Sequence, residues 1–358
     1  MPLISRLGDA ALLAAVGAGL VDVEHPRPAR AFLNAVSTAA TEPGPEARAV
    51  GLLVVLAALT KSAQFPVHSW LPETMEAPTP VSALMHAGII NAGGALLLRF
   101  APLLVRDPAA LFLLTCVGTL TAALGMVAMW AQVKVKRTLA WSTVSQMGFM
   151  MVQFGLGAFP AAALHIVGHG CYKAWSFLRS GGLPASAPSY ATVPPARALT
   201  LAAAGAAASI PAMLAASSLT GFSPAHSPGE MALAGVVALA MGQVWVALLG
   251  SGSSPSRAGL STATTFAATA ALFALYRGAA AFLSPVLGDL PSPSGPLAWA
   301  SAVLPVATLA GLTVLHAFLP TLGRSESGRA FHVHALHGFY FGAAADRVVG
   351  WVWARRAA

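Results

Sequence analysis

The ionisable residues most able to do chemistry stand within otherwise apolar sequence. His165, His169 and Lys173 occupy positions i, i+4 and i+8, a spacing that puts all three on one face of a helix over two turns. Neutral imidazoles donate and accept hydrogen bonds in turn, so this face could hold water and pass protons. A zinc site is a weaker interpretation, because His-x3-His supplies two ligands and no Asp, Glu or Cys follows at helical spacing. A purely structural histidine pair is the third alternative.

Two of the four lysines, Lys61 and Lys173, fall inside or at the edge of apolar runs. An ionisable group in hydrocarbon costs about 2.5 to 3.5 kcal/mol, so its presence there indicates a function. Burial favours the neutral amine over the ammonium, which would let these lysines load and release protons. The alternative is that each ammonium reaches an interface or caps the carbonyls at a helix end.

His86 lies 25 residues after Lys61, and Pro66 and Pro72 stand between them. Because proline removes a backbone donor, we predict that the helix carrying Lys61 breaks there and leaves carbonyls free to face a polar cavity. A broken helix beside an intramembrane lysine is typical of an ion site. Without these neighbours, His86 would be read as an ordinary buried histidine.

Composition indicates which solvent surrounds these residues. Of 358 residues, 56% are hydrophobic and 9% are charged, whereas soluble domains carry roughly 25% charged residues. The mean hydropathy is +0.71, so we predict an all-α polytopic membrane protein surrounded by lipid. The net charge of +8 comes from scattered basic residues, which argues against nucleic acid. Two cysteines without CxxC spacing indicate neither a disulfide framework nor a zinc site, and no cofactor, metal or catalytic residue is predicted.

Because a helix needs roughly 20 residues to span the membrane, we predict about ten transmembrane helices, some of them broken. We place them near Leu7–Val23, Ala49–Gln64, Ser82–Val105, Pro108–Gln132, Leu139–Ala158, Ala161–Gly182, Ala198–Thr220, Met231–Gly250, Ser261–Val286 and Leu297–Leu319.

The end of the chain differs from the rest. Aromatic and charged residues mix there, as in Tyr340, Asp346, Trp351 and Arg355, which is typical of a cytoplasmic interfacial helix. We therefore predict a transmembrane domain over residues 1–330 and an interfacial helix over residues 331–358. The distribution of Lys and Arg between connectors favours both termini in the cytoplasm.

Two stretches, Lys61–Gly94 and Val133–Gly181, resemble the antiporter-like proton-channel subunits shared by respiratory complex I and the multi-subunit cation/proton antiporters. The second contains Lys136-Arg137-Thr138-Leu139-Ala140-Trp141-Ser142-Thr143, followed by the His/His/Lys face. In that family the corresponding residues form a hydrated axis at mid-membrane depth. The resemblance implies that the proton pathway consists of Lys61, His86, Lys136, His165, His169 and Lys173.

Within this family, Ala163–Gly181 and Phe331–Tyr340 are most similar to DabB membrane subunits of inorganic-carbon transporters. The resemblance implies a bacterial inner-membrane subunit, not itself an enzyme, that couples the proton gradient to carbon accumulation. It also implies a cytoplasmic DabA-like partner that carries the zinc site. Two alternatives stay open: a proton-translocating subunit of a complex I-like quinone oxidoreductase or cation/proton antiporter, and a non-conducting membrane scaffold.

Two features differ from the family pattern. The family places a glutamate in a helix upstream of the Lys61 position, whereas the upstream glutamates here lie in a polar connector: Glu24, Glu42 and Glu46. We expect a longer form of the chain or a separate chain to supply the additional N-terminal helices. No lysine follows the His/His/Lys face, and Arg277 is the cation in the equivalent later span.

Overall fold

A computed structural model of the chain describes residues 8–11, 13–14, 45–182, 193–221, 223–344 and 347. These residues form helices and turns and contain no β-strand, which confirms the predicted all-α class. They divide into two compact units, Met1–Gly182 with Asp289–Pro293 and Val333–Ala358, and Leu183–Gly288 with Ser294–His332. The predicted division at residue 331, between a transmembrane and an interfacial part, stays a prediction.

In the described residues up to Gly182, the first unit contains eight helices after a short helical stretch at residues 8–11 and 13–14. Asp107 and Pro108 define the start of the longest one, because the Asp107 carboxylate accepts from the amides of Ala109 and Ala110 at 3.0 and 3.2 Å and proline needs no partner at the first position. Helices α1 to α8 are Pro45–Lys61, Trp70–Glu73, Thr79–Ala87, Ala92–Arg99, Ala101–Leu104, Pro108–Ala131, Val135–Gly155 and Phe159–Arg179, with 3-10 turns at Thr74–Glu76, Ile89–Asn91 and Ser180–Gly182.

The second unit contains the long helices α9 Pro195–Thr220, α10 Pro228–Leu249, α11 Pro255–Leu287 and α12 Pro296–Leu322. Each begins with proline, and serine side chains cap α10 and α11 by accepting from the amides of Glu230 and Arg257. Arg197 near the start of α9 donates to the Leu249 carbonyl at the end of α10 at 3.0 Å, where a cation complements the helix dipole.

Six helical segments are long and apolar enough to cross a membrane: Thr79–Arg99, Pro108–Ala131, Pro195–Thr220, Pro228–Leu249, Pro255–Leu287 and Pro296–Leu322. They overlap six of the predicted spans. Helices α1, α7 and α8 coincide with three more, but α1 has 17 residues and the other two are more polar. The remaining span, Leu7–Val23, lies mostly outside the described residues, so the number ten stays a prediction.

The predicted break after Lys61 is confirmed. Helix α1 ends at Lys61, and the next helix begins at Trp70, so the interruption includes Pro66. The turn keeps part of its backbone bonding, because the amides of Ser62 and Gln64 donate to the carbonyls of Ala58 and Leu59 at 3.0 and 3.1 Å. That its carbonyls face a polar cavity stays a prediction.

The span predicted over Ser82–Val105 overlaps the apolar segment Thr79–Arg99, and it is interrupted, because a 3-10 turn separates α3 from α4 and a further break precedes α5. The Asn91 side-chain amide donates to the Ala87 carbonyl at 2.7 Å. The Ser62 hydroxyl donates to the Ile90 carbonyl at 2.9 Å. These bonds satisfy carbonyls that a turn would otherwise leave unpaired, and Asn favours such local bonding over a regular helix. The term "α3–α4 break" denotes Gly88–Asn91 below.

Two glycines let other helices approach the α3–α4 break. A side chain at Gly93 would collide with the Ala58 carbonyl and the Ser62 hydroxyl of the α1 end. A Cβ at Gly170 in α8 would lie 2.9 Å from the Ala87 carbonyl oxygen. The residue type at these positions therefore sets how closely α1 and α8 can pack against the break.

The described part of the predicted interfacial segment, residues 331–358, is not one continuous helix, and its place at the membrane surface stays a prediction. Helix α13 runs over Glu326–Leu336, and a 3-10 turn follows at Gly338–Tyr340. The helix stops because Gly338, Phe339 and Tyr340 all have positive φ, at 59°, 56° and 60°, which a right-handed helix cannot continue. Residues 345, 346 and 348–358 lie outside the described part of the chain.

Gly170→Ala is expected to destabilise the protein by about 1 to 3 kcal/mol, because the new Cβ overpacks against a backbone carbonyl. Gly168 lies on the same helix and has no atom within 4 Å of an added Cβ. Gly168→Ala should therefore leave stability unchanged or slightly raised. Thermal unfolding in detergent checks this, and equal effects of the two substitutions would contradict the close approach.

Candidate functional site

Helix α8 presents the predicted His/His/Lys face to the interior of the first unit. His169 is 4% exposed and Lys173 is 0% exposed, while His165 is half-buried. The facing helix α7 supplies hydroxyl and amide groups to all three. The arrangement keeps ionisable side chains away from the apolar surroundings and in contact with polar groups.

Lys173 is a buried cation held by neutral acceptors. Its Nζ donates to the Ser142 hydroxyl and to the Leu139 carbonyl at 3.4 Å, and it lies 5.4 Å from the centroid of the Tyr172 ring. The ion pair found among the described residues joins Lys61 and Asp9, so Lys173 has no carboxylate partner there. A buried ammonium without a carboxylate is costly, so its charge depends on these dipoles and on the ring.

His86 contacts the residue next to Ser142. Its Nδ1 lies 3.0 Å from the Thr143 hydroxyl, and that hydroxyl donates to the Leu139 carbonyl at 3.0 Å. Since Thr143 has one proton to give, it accepts from His86 Nδ1–H. The Ser142 hydroxyl also donates to the Leu139 carbonyl, at 2.8 Å. Two adjacent hydroxyls and one carbonyl thus connect Lys173 with His86.

His169 joins the C-terminal end of α3 to α7. Its Nε2 donates to the His86 carbonyl at 3.2 Å, and its Nδ1 lies 2.7 Å from Oε1 of Gln146. The ring of His165 is 5.8 Å from that of His169, and His165 Nδ1 donates to Oε1 of Gln153 at 2.7 Å. Each histidine of α8 therefore has its own glutamine on α7.

The sequence analysis missed Gln146 and Gln153. With Ser142 they stand at i, i+4 and i+11 within the predicted span Leu139–Ala158, which is one helical face. Polar residues at this spacing in an apolar span could have indicated a polar helix face.

The structure pairs Lys61 with Asp9. Lys61 Nζ lies 2.6 Å from Asp9 Oδ1, with side-chain exposures of 31% and 53%. Asp9 was also missed, although an acidic residue inside the predicted span Leu7–Val23 was a signal of the same kind as the lysines. Asp9 thus gives Lys61 a carboxylate partner. The upstream glutamates in the polar connector were not expected to provide one.

Lys136 does not hydrogen-bond to the histidines in the described structure. Its Nζ donates to the Ala77 carbonyl at 3.0 Å, just before α3 begins at Thr79. Of the six predicted pathway residues, hydrogen bonds and ring contacts bring together His86, His165, His169 and Lys173. Lys61 lies beside Ser62, which binds the α3–α4 break, and Lys136 caps the turn that precedes α3.

Among the residues that the structure describes, no three or more His, Cys, Asp or Glu side chains are grouped so that they could hold a metal ion. The polar network consists of hydroxyls, amides, imidazoles and one amine. Imidazoles and amines can bind and release protons, and hydroxyls and amides can hydrogen-bond to them, so the network contains the groups that a proton relay would need.

The comparison with known families agrees with this geometry. Residues 3–254 match the family described as NADH:quinone oxidoreductase/Mrp antiporter, TM. The chain belongs to this family. The NADH:quinone oxidoreductase/Mrp antiporter family is one of membrane proteins, and the six apolar helices make this member a multi-pass membrane protein.

Within the family, the chain is 51% identical over 150 residues to the probable inorganic carbon transporter subunit DabB1 of Halothiobacillus neapolitanus, covering 42% of this chain and 27% of that relative. It is 48% identical over 132 residues to the chloroplastic NAD(P)H-quinone oxidoreductase subunit 5 of Brachypodium distachyon, covering 37% and 18%. The matched segments span about a quarter or less of the relatives' lengths.

A solved structure shares the fold. A chain of the Mrp complex from Dietzia sp. DQ12-45-1b superposes with a TM-score of 0.50 at 23% identity. The match covers 97% of this chain and 43% of that chain. At this identity the likeness concerns the helical architecture of the family.

Ser142→Ala is expected to destabilise the protein by about 1 to 3 kcal/mol, because the buried Lys173 ammonium loses an acceptor. In a Lys173→Met background the same substitution should cost less, giving a coupling energy of about 0.5 to 3 kcal/mol. Thermal unfolding of the four proteins in detergent measures the coupling.

Ser145→Ala is the matched control, because the Ser145 hydroxyl donates to the Ala122 carbonyl at 2.9 Å. Its effect should add to that of Lys173→Met. Additive effects of Ser142→Ala and Lys173→Met would show that the hydroxyl does not stabilise the charge.

Proposed function

We propose that the chain is a proton-conducting membrane subunit that couples the proton gradient to inorganic-carbon accumulation. The observation that carries the proposal is Lys173, a fully buried amine bonded to neutral groups. It is linked to His86 through the hydroxyls of Ser142 and Thr143, which both donate to the Leu139 carbonyl. A group held at such cost indicates function in a membrane protein. It can give up its proton without leaving a carboxylate unpaired.

The relay runs along the contact between α7, α8 and the α3–α4 break. The buried His86 Nε2 and Asn91 Oδ1 have no hydrogen-bonding partner among the described residues. Buried polar atoms of this kind are usually satisfied by ordered water. We expect water to connect these atoms to the imidazoles and to complete the path.

Lys61 and Lys136 are proposed to extend the path beyond this network. Lys61 is partly exposed and pairs with Asp9, so protons can exchange there between a carboxylate and an amine. Lys136 holds the carbonyl of Ala77 next to α3, where a change in its charge would act on the helix that carries His86.

The carbon substrate is proposed from the likeness to the probable inorganic carbon transporter subunit. The energetics are adequate, because one charge crossing about 150 mV releases roughly 3.5 kcal/mol and a tenfold gradient costs about 1.4 kcal/mol. We propose a cytoplasmic DabA-like zinc subunit as the partner that converts CO2 to bicarbonate, with this chain acting as transporter subunit and not as enzyme.

A proton-translocating subunit of a quinone oxidoreductase or cation/proton antiporter is the second candidate. It is favoured by the 48% identity to the chloroplastic NAD(P)H-quinone oxidoreductase subunit 5. The two proposals share the histidine and lysine relay and differ in the partner, which the neighbouring genes would distinguish.

The location is part of the proposal. We place residues 1–330 in the bacterial inner membrane and residues 331–358 at its cytoplasmic face, with both termini in the cytoplasm. The additional N-terminal helices are assigned to a longer form or a separate chain.

Lys173→Met should lower protonophore-sensitive uptake of labelled inorganic carbon by about a hundredfold or more, because it removes a proton-exchanging group. Uptake is measured in a carbonic-anhydrase-deficient bacterium expressing this chain with its genomic neighbour at matched membrane levels. Lys134→Met is the control, since Lys134 is exposed and lies just before Lys136 in the chain. Absence of uptake by the well-assembled unmutated complex would refute carbon transport and favour the second candidate.

The double variant Asp9→Asn/Lys61→Met should assemble normally but lose about tenfold or more of the uptake. It removes both charges of the ion pair together, so neither is left without its partner. Membrane levels of the complex and uptake per complex are measured side by side. If the chain is a non-conducting scaffold, uptake per assembled complex stays unchanged.

A further inference from the structure

The two ring nitrogens of His169 face groups of different chemistry. Nε2 lies 3.2 Å from the carbonyl oxygen of His86. A backbone carbonyl can accept a hydrogen bond and cannot donate one. Nε2 must therefore carry a proton for as long as its hydrogen bond to the His86 carbonyl at the end of α3 persists, whatever the charge of the ring.

The nitrogen that can gain or lose a proton is consequently Nδ1. It faces the side-chain amide of Gln146, with 2.7 Å between Nδ1 and Oε1. An amide has an acceptor at one end and a donor at the other. Oε1 suits a protonated Nδ1 and hence an imidazolium, whereas a bare Nδ1 requires the NH2 group in the same place.

We propose that Gln146 is a positioning residue whose amide rotates by half a turn whenever Nδ1 of His169 gains or loses a proton. The inference rests on the proposed function in one respect, that His169 exchanges protons during transport. With the amide oxygen inward, Gln146 stabilises the charged ring. With the amide NH2 inward, it stabilises the neutral ring, so its orientation sets which state is populated.

The groups around His169 decide how strongly the Gln146 amide can affect the charge of its ring. Lys173 and His165 lie on the same helix as His169, and the His86 carbonyl approaches the ring from α3. Helix α7 contributes hydroxyls and amides to this region, among them Ser142, Thr143 and Gln153. Gln146 is the α7 group bonded to His169, so its amide oxygen adds to the His86 carbonyl as an acceptor that favours the imidazolium.

His165 supplies the contrast. Its Nδ1 lies 2.7 Å from Oε1 of Gln153, and the described residues provide no hydrogen bond to its Nε2. A neutral ring with the proton on Nδ1 satisfies Gln153 as it stands. Gln153 therefore has no need to rotate, and Gln153→Met is a matched control.

The test is solid-state NMR of the full chain in lipid bilayers, with histidine and glutamine side chains labelled with 15N. His169 is assigned by the signal lost in His169→Asn. In the unmutated protein, we expect the Gln146 amide signal to shift over the same pH interval in which His169 Nδ1 changes between bare and protonated. A Gln146 signal that stays constant while His169 titrates would overturn the proposal.

Two variants should hold His169 in opposite states. Gln146→Glu offers acceptors alone and should abolish the bare-nitrogen signal, whereas Gln146→Met offers no acceptor and should abolish the imidazolium signal over the same pH range. Gln153→Met should retain the pH-dependent change of His169. If both Gln146 variants titrate like the unmutated protein, the proposal is wrong.

Carbon uptake by the Gln146 variants separates this inference from the proposed function. Loss of uptake in both variants, despite their opposite protonation states, is expected if His169 must alternate between them. Normal uptake in variants whose His169 no longer titrates would refute a role of His169 in transport and leave the amide rotation intact.

Discussion

The α3–α4 break imposes the constraint on which the rest of the first unit depends. A helix interrupted in a membrane protein frees carbonyl groups that other groups must satisfy. The carbonyls of His86, Ala87 and Ile90 accept from side chains of α8, of the break itself and of the α1 end. Gly93 and Gly170 permit the approach that these bonds require. The same bonds that complete the backbone also position His169 and Ser62.

The buried amine of Lys173 is the charged group that this part of the structure surrounds with neutral polar acceptors. Stability alone would favour an apolar side chain at that position, since burial of a charge is repaid poorly by neutral acceptors. Adjacent hydroxyls on α7 connect the amine to His86, and two glutamines of the same helix bind His165 and His169. A cost in stability at one residue thus coincides with a connected set of proton-exchanging groups, as expected at a functional site.

The sequence was informative where the cause is local. Helical spacing placed His165, His169 and Lys173 on one face, and Pro66 located the interruption after Lys61. The sequence was uninformative where the hydrogen-bonding or ion-pair partner of a residue lies far away in the chain. The α3–α4 break depends on Ser62 from another helix, and the pairing of Asp9 with Lys61 joins residues far apart in the chain. Resemblance to the family anticipated that His86 lies with the α8 face, which spacing alone does not reveal.

We propose that protons cross the membrane through this subunit and that their movement drives carbon transport. The most direct measurement is proton entry into proteoliposomes that contain the chain with its genomic neighbour, recorded with a pH-sensitive dye while bicarbonate formation is followed in the same sample. We expect proton entry and bicarbonate accumulation to rise together when a proton gradient is imposed. Bicarbonate accumulation without proton entry would show that the two are not coupled.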